Sequence, residues 1–126
     1  MATQTLTVTL GLSAVNAING IFSLNASETD SISYDDTAAS SATITVATGS
    51  ASQLVDKTVV TSKSTYVYIK NLDTTNFVAL YTDDANLWGK ILPGEFAFFP
   101  VAPGAGFEVK ADTAACVVEY ALFEQP

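Results

Sequence analysis

The chain has 126 residues, of which 48% are hydrophobic and 14% charged, and thirteen acids against five lysines give a net charge of −8. This composition indicates one globular domain of ordinary size and argues against a disordered chain. Because there is no arginine, no histidine and few lysines, we expect neither nucleic acid nor an anionic membrane surface as a direct partner.

The N-terminal half predicts strands separated by polar segments. Threonine alternates with Leu6, Val8 and Leu10 over residues 5–10, which is the period of a half-buried strand. Residues 42–46 repeat this pattern. Residues 31–34 predict a short strand in the Ser- and Asn-rich segment between them.

The middle of the chain begins with a less regular region. Residues 53–57 predict a turn or a single helical turn, followed by an extended segment over residues 58–61. Further strands are predicted over residues 65–72, 77–81, 87–92, 95–101, 107–111 and 115–124. The polar connection at residues 73–76 predicts a hairpin between the first two. Pro93-Gly94 predicts a type II turn, taken as the turn of another hairpin, because proline and glycine suit its two central positions.

The strand over residues 95–101 carries large apolar groups on both faces. Phe96 and Phe98 lie on one face, and Phe99 lies on the other with Ala97 and Val101. In the last strand, Phe123 likewise lies opposite an apolar face. One face of such a strand belongs to the core, and the other must meet a second layer or a neighbouring subunit.

Strands at this spacing, separated by Gly, Pro and Asx turns, indicate an all-β fold, either an antiparallel β-sandwich or a jelly-roll-like barrel. No apolar period of 3.6 residues is long enough for a helix. We expect residues 1–126 to form a single β domain, with residues 1–12 as an N-terminal arm or an edge strand. The pattern leaves Greek-key and meander connections both open.

The chain offers little catalytic chemistry. A hydrolytic triad needs a base, usually histidine, and a zinc site needs clustered Cys and His, whereas the chain has one cysteine and no histidine. The adjacent acids Asp35-Asp36 and Asp83-Asp84 point to opposite faces if extended, so turn acids explain them better than a catalytic pair. The loop at residues 83–86 could donate oxygens to calcium, but it lacks the glycine and the terminal glutamate of an EF-hand, so Asx side chains capping a turn explain it better. We therefore predict no enzymatic activity, no catalytic or metal residues and no cofactor, and we expect the single cysteine, Cys116, to be buried and inert.

The aromatic residues suggest two uses. Tyr66, Tyr68, Tyr81 and Trp88 could form a platform for sugars, but core packing is the better explanation for most of them. Trp88, which follows a turn, is the aromatic residue that we expect to be exposed.

Three ordered motifs carry a resemblance to a known group of proteins. YIKNLD at residues 68–73, LPGE at residues 92–95 and KADTAA at residues 110–115 resemble segments of small β-rich structural proteins of tailed bacteriophages, including marine and cyanophage types. The similarity covers about residues 60 to 124.

The resemblance implies a virion component, most simply a capsid decoration or cement protein. Such a subunit would be made in the host cytoplasm, bind the major capsid protein on the outer capsid surface, and assemble as a homotrimer. The alternative is a tail, baseplate or fibre-associated subunit that contacts host glycans. The interface candidates are the exposed or two-faced apolar residues Leu6, Val8, Leu10, Trp88, Phe96, Phe98, Phe99 and Phe123.

Overall fold

The computed structural model describes residues 2–17, 22–82 and 84–126, in which the chain forms strands joined by turns. The strands are β1 (Thr3–Ala17), β2 (Phe22–Asp35), β3 (Ala39–Val46), β4 (Ser52–Val55), β5 (Thr65–Asn71), β6 (Val78–Tyr81), β7 (Leu87–Ile91), β8 (Phe96–Val101), β9 (Phe107–Ala111) and β10 (Cys116–Glu124). A single 3₁₀ turn, Asp36–Ala38, follows β2. The prediction of an all-β chain is confirmed, and no helix in the described ranges is long and apolar enough to cross a membrane.

The strands from β3 onwards form two antiparallel four-stranded sheets. Sheet 1 has the order β3-β10-β5-β8, and sheet 2 has the order β4-β9-β6-β7. Neither order closes on itself, so within the described residues the expectation of a barrel is not met. The chain crosses between the sheets at most of its turns.

The inner faces of both sheets share one hydrophobic core. Alternate residues of β5 and β9 are buried, as the period of two requires for strands with one face inward. The largest fully buried apolar side chains are Val46, Val67, Ile69, Cys116 and Val118 from sheet 1 and Val78, Phe107 and Val109 from sheet 2. Two layers around one core give a sandwich-like architecture, which agrees with the first of the two predicted folds.

The predicted hairpin between residues 65–72 and 77–81 is wrong in its pairing, although both strands exist. β5 belongs to sheet 1 and β6 to sheet 2. Between them, the carboxylate of Asp73 accepts hydrogen bonds from the backbone N–H groups of Thr75 and Asn76 at 2.9 and 2.6 Å. This Asx turn redirects the chain into the other layer instead of back along β5.

The Pro93-Gly94 turn forms as predicted but also joins two different sheets. The N–H of Glu95 donates to the carbonyl oxygen of Leu92 at 3.0 Å, and Gly94 has a φ of 78°, as a type II turn requires. However, β7 lies in sheet 2 and β8 in sheet 1. The interpretation of this turn as a hairpin is therefore wrong, since a local turn does not determine which sheet receives the next strand.

The segment before β5 is shifted from its prediction. Residues 52–55 form β4, and the turn lies after it, where Asp56 accepts hydrogen bonds from the N–H and the hydroxyl of Thr58 at 2.8 and 2.6 Å. The extended segment predicted at residues 58–61 is instead part of this turn and the following loop. An aspartate two residues before a threonine favours that turn locally.

β1 and β2 form a separate two-stranded antiparallel sheet, called here the hairpin. The strand predicted at residues 31–34 is the end of β2. At its base, the N–H of Ala2 donates to the carboxylate of Asp36 at 3.0 Å, and the N–H of Asp36 donates to the carbonyl oxygen of Ala2 at 3.1 Å. The predicted N-terminal strand is thus one half of a long two-stranded ribbon, and these two hydrogen bonds close its base just before β3 begins.

Candidate interface surface

β8 divides its phenylalanines between the two sides of sheet 1. Phe99 packs inside the sandwich edge to face with Phe107, with ring centroids 5.0 Å apart, and Trp88 meets Phe99 at 5.2 Å. Phe96 and Phe98 lie on the opposite side, because neighbouring residues of a strand point to opposite faces. Phe99 therefore finds its second layer inside its own chain, whereas Phe96 is 67% exposed.

The outer face of sheet 1 carries a patch of aromatic side chains that the sheet register places side by side. Phe98 lies opposite Tyr68 in the neighbouring strand and stacks on Tyr66 with ring centroids 6.0 Å apart and planes 8° apart. The patch, called here the outer aromatic patch, consists of Tyr66, Tyr68, Phe96, Phe98 and Phe123. Most of its members are half-buried, although they face away from the core.

The base of the hairpin covers part of this patch. The ring of Tyr34 meets Phe123 edge to face at 5.1 Å, and Ile32 on the same strand is buried. Between the hairpin and the sheet runs a groove of about 420 Å³, lined by Leu6 and Val8 on one side and by every member of the outer aromatic patch except Tyr66 on the other. The outer faces of β8 and β10 are thus partly covered by the hairpin, which leaves Phe96 exposed.

The two faces of the hairpin differ in chemistry. On one face threonine and serine pair across the strands, as in Thr5 with Ser33 and Thr7 with Ser31. The other face continues from the covered base to Leu10, which is 45% exposed, and to Leu12, which is 47% exposed. Leu10, Leu12, Ala14 and Ala26 together are called here the apolar arm face. Nearly half of each leucine side chain is therefore apolar surface open to solvent.

Few charged groups border the outer aromatic patch. The hydroxyl of Tyr68 donates to a carboxylate oxygen of Glu119 at 2.8 Å. Burial raises the pKa of the Tyr68 hydroxyl, and the hydrogen bond and charge of Glu119 raise it further. Lys70 lies directly opposite Phe96 in the sheet register and has no ion-pair partner among the described residues. The exposed end of the patch is therefore an aromatic ring beside a lysine, with Glu119 opposite that lysine in the next strand.

Trp88 borders a second surface, on the side of sheet 2. Its indole is 51% exposed, in agreement with the sequence-based expectation. A groove of about 560 Å³ lies along β6 and β7, lined by Trp88, Tyr81, Phe77 and polar groups that include Asp112. The ammonium of Lys90 lies 4.8 Å from the centre of the Phe77 ring, as in a cation–π contact. This groove combines aromatic and charged groups.

Of the acids considered for catalysis or metal binding, those that the structure describes serve turns and a surface ion pair. Asp35 accepts from the N–H and the hydroxyl of Thr37 at 2.9 and 2.8 Å, and these two bonds lower its pKa. Asp83 lies outside the described residues, and Asp84 pairs with Lys57. Residues 2–17, 22–82 and 84–126 contain no group of three or more Cys, Asp or Glu side chains able to hold a metal ion.

The single thiol of the chain, that of Cys116, is buried, as predicted. Cys116 lies in the core at the start of β10, and its Sγ is 3.5 Å from the carbonyl oxygen of Ala114. Burial raises the pKa of this thiol, and the charge of Asp73 adds to the effect.

Of the eight interface candidates, the structure brings five to the groove between the hairpin and sheet 1. They are Leu6, Val8, Phe96, Phe98 and Phe123. Leu10 lies just beyond the groove on the hairpin, while Trp88 and Phe99 meet each other at the open edge of the sandwich. Leu12 and Tyr34 were missed, although the alternation of Leu6, Val8 and Leu10 continues to Leu12 across Gly11.

No family model matches the chain, and no curated protein is significantly similar to it in sequence. These comparisons add no family to the resemblance described above, so the surface itself must support any function.

Proposed function

We propose that the protein is a non-enzymatic structural subunit of a phage virion, most simply a decoration or cement protein. In this role it binds the major capsid protein on the outer capsid surface after synthesis in the host cytoplasm. The observation that carries the proposal is the hairpin: its base is packed on sheet 1, while Leu10 and Leu12 extend exposed apolar surface away from the sandwich. Exposed apolar faces of this kind mark protein–protein contacts.

The proposal includes a jelly-roll connection of the eight strands β3 to β10. Four antiparallel pairs support it, nested from the outside inwards: β3 with β10, β4 with β9, β5 with β8 and β6 with β7. This is the pairing of one long hairpin folded across two layers, which is how a double-sheet jelly roll is wound. Jelly rolls are frequent in viral capsid proteins, which agrees with the proposed role.

A decoration subunit needs a rigid body and a surface that reaches its neighbours. The sandwich is the rigid body, because its two sheets share one core, and the hairpin is the part that extends towards neighbouring subunits. The net charge of −8 keeps many copies soluble before assembly. None of these tasks requires a catalytic group.

Quantitative mass spectrometry of purified virions tests the role directly. A decoration protein is expected at a copy number comparable to that of the major capsid protein, and stripping it should lower the temperature at which particles release DNA. Purified protein added back to stripped particles should rebind and restore that temperature. Absence of the protein from virions would exclude a structural role in the particle.

The groove beside Trp88 supports a second candidate, a tail, baseplate or fibre-associated subunit that contacts host glycans. An exposed indole next to tyrosine and charged side chains is suited to stack on a sugar ring and to bond its hydroxyls. A few copies per virion at one vertex, together with a glycan-array signal lost in Trp88→Ala and kept in Phe96→Ala, would favour this candidate. No array signal above background removes it.

A further inference from the structure

We propose that the apolar arm face of one copy packs on the exposed end of the outer aromatic patch of a second copy, so that Leu10 and Leu12 cover Phe96 and Glu28 faces Lys70. The occupant of both surfaces is therefore another copy of this chain. The contact deepens the proposed function, and the expected number of copies, three, rests on that function.

The first argument is length. β1 has 15 residues, which correspond to about 50 Å of strand, whereas β10, the longest strand of sheet 1, has nine, or about 30 Å. The groove that joins the hairpin to its own sheet ends at Thr9. The remaining part of the ribbon extends past this groove, where another copy can meet it.

The second argument is continuity. Leu6 and Val8 already pack over aromatic side chains of sheet 1 within one copy. Leu10 and Leu12 follow them at the same spacing on the same face of β1, and both are exposed. Leu10 and Leu12 thus continue, past the end of the groove, the apolar pattern with which Leu6 and Val8 pack over the patch of the same copy. Phe96 is the member of the patch left exposed to receive that pattern.

The third argument is charge. On the arm, Glu28 lies directly opposite Leu10 and Asp30 directly opposite Val8. On the patch, Lys70 lies directly opposite Phe96 in β8 and directly opposite Glu119 in β10. Glu28 and Lys70 have no ion-pair partner among the described residues. The arm therefore offers Glu28 beside Leu10, and the patch offers Lys70 beside Phe96, whereas the neighbouring carboxylate of Glu119 already accepts a hydrogen bond from Tyr68.

Charge also argues against the simpler contact between two arms. Packing two apolar arm faces against each other would bring Glu28 and Asp30 of one copy close to the same acids of the other. Like charges across an interface oppose association. A contact from arm to patch avoids this and is heterologous, so it closes into a ring when the rotation between copies permits.

The test is the mass of the isolated protein in solution, measured by light scattering and sedimentation over a range of concentrations. The wild type is expected to reach three times the 13.2 kDa of one chain. Leu10→Ser combined with Leu12→Ser should leave monomers. The matched control is Val59→Ser, which removes an apolar side chain that is 75% exposed on a different segment and should keep the oligomer.

Exchanging the charges of Glu28 and Lys70 tests whether the outer aromatic patch is the surface that receives the arm. Glu28→Lys and Lys70→Glu should each weaken association by about tenfold or more, and the two changes together should restore most of it, since the pair is re-formed with reversed signs. Glu28 is exposed and Lys70 is half-buried opposite Glu119, so the thermal stability of each variant is measured beside its mass, and Glu28→Lys remains informative if the leucine variant does not fold.

Three results would overturn the contact. One is a wild type that stays monomeric at every concentration, and another is an oligomer that tolerates both leucine changes. The third is a charge-exchanged protein that associates no better than the single variants. In each case, the virion measurement decides separately whether the protein is still a decoration subunit, because the hairpin could then bind the capsid protein instead.

Discussion

The side-chain amide of Asn71 donates a hydrogen bond to the carbonyl oxygen of Ile91 at 3.2 Å, and this bond joins the two sheets. Asn71 ends β5 in sheet 1, and Ile91 ends β7 in sheet 2. The same amide donates to the carbonyl oxygen of Asn76 at 2.9 Å, and its oxygen accepts from the N–H of Asp73 at 2.9 Å. One fully buried side chain thus holds the corner where the chain changes layers.

Replacing Asn71 tests this corner. Asn71→Ala removes three hydrogen bonds and leaves backbone groups of the corner without their partner, so we expect a loss of about 3 kcal/mol in the free energy of unfolding. Urea denaturation measures it. Thr74→Ala, an exposed change in the same connection, should cost less than about 0.5 kcal/mol. Equal effects of the two variants would contradict the role of Asn71.

The assignment of the phenylalanines of β8 to opposite sides predicts opposite consequences for stability. Phe99→Ala removes the contacts with Phe107 and Trp88 inside the sandwich, and we expect it to cost about 2–3 kcal/mol. Phe96→Ala removes an exposed ring and should change the stability of the isolated chain by less than about 0.5 kcal/mol. Thermal unfolding at a concentration where the protein is monomeric separates the two. A larger loss for Phe96→Ala would reverse the assignment.

Thr65 is buried at the start of β5, and its hydroxyl has no hydrogen-bond partner among the described residues. Thr65→Val replaces that hydroxyl with a methyl group of similar size, so the unfolding free energy should rise by about 1 kcal/mol. Thr65→Ser, which keeps the hydroxyl and loses the methyl group, should lower it. A destabilised valine variant would show that the hydroxyl is bonded, for example to a buried water.

Asp73 makes the stability depend on acidity. The hydrogen bonds from the backbone of Asn76 and Thr75 lower the pKa of its carboxyl below the ordinary value of 3.8. A lowered folded-state pKa contributes stability that is present above the unfolded value and is lost as the pH falls through the folded value. The pKa values of Asp35 and Asp56 are lowered in the same direction.

We therefore expect the urea midpoint to fall as the pH is lowered from about 5 to about 2. Asp73→Asn keeps an oxygen that can accept the two backbone bonds but does not titrate, so its midpoint should fall less over this range. An identical slope for the variant and the wild type would show that Asp73 makes no such contribution.

Cys116 reports on opening of the core. Because the thiol is buried and its pKa is raised, the folded protein should react slowly with iodoacetamide at neutral pH, whereas the unfolded chain should react readily. Intact-mass measurement over time, with and without urea, gives both rates. Rapid labelling of the folded protein would mean that the start of β10 opens easily.

Most strands could be predicted from the sequence, because burial of one face of a strand makes apolar residues recur at every second position. The alternation in residues 65–72 and 115–124 corresponds closely to β5 and β10. The turn at Pro93-Gly94 was also readable, since the required φ of Gly94 is a local property. The candidate surface was partly readable, in the apolar face that includes Leu6, Val8 and Leu10.

The sequence does not predict which strands become neighbours in a sheet. A turn such as Pro93-Gly94 serves a hairpin and a crossing between layers equally well, and the hydrogen bonds of Asn71 that decide for a crossing exist only when both sheets are assembled. The separation of Phe96 from Phe99 into surface and core depends on the same assembly.

The amino-acid sequence alone was enough to predict an acidic all-β chain without histidine, with strands that carry apolar residues on both faces. The packing of Phe99 in the sandwich, the exposure of Phe96 and the position of Leu10 and Leu12 on a hairpin follow from the assembled fold. The reason is that alternation defines the faces of a strand locally, whereas the layer that covers each face comes from residues distant in the chain.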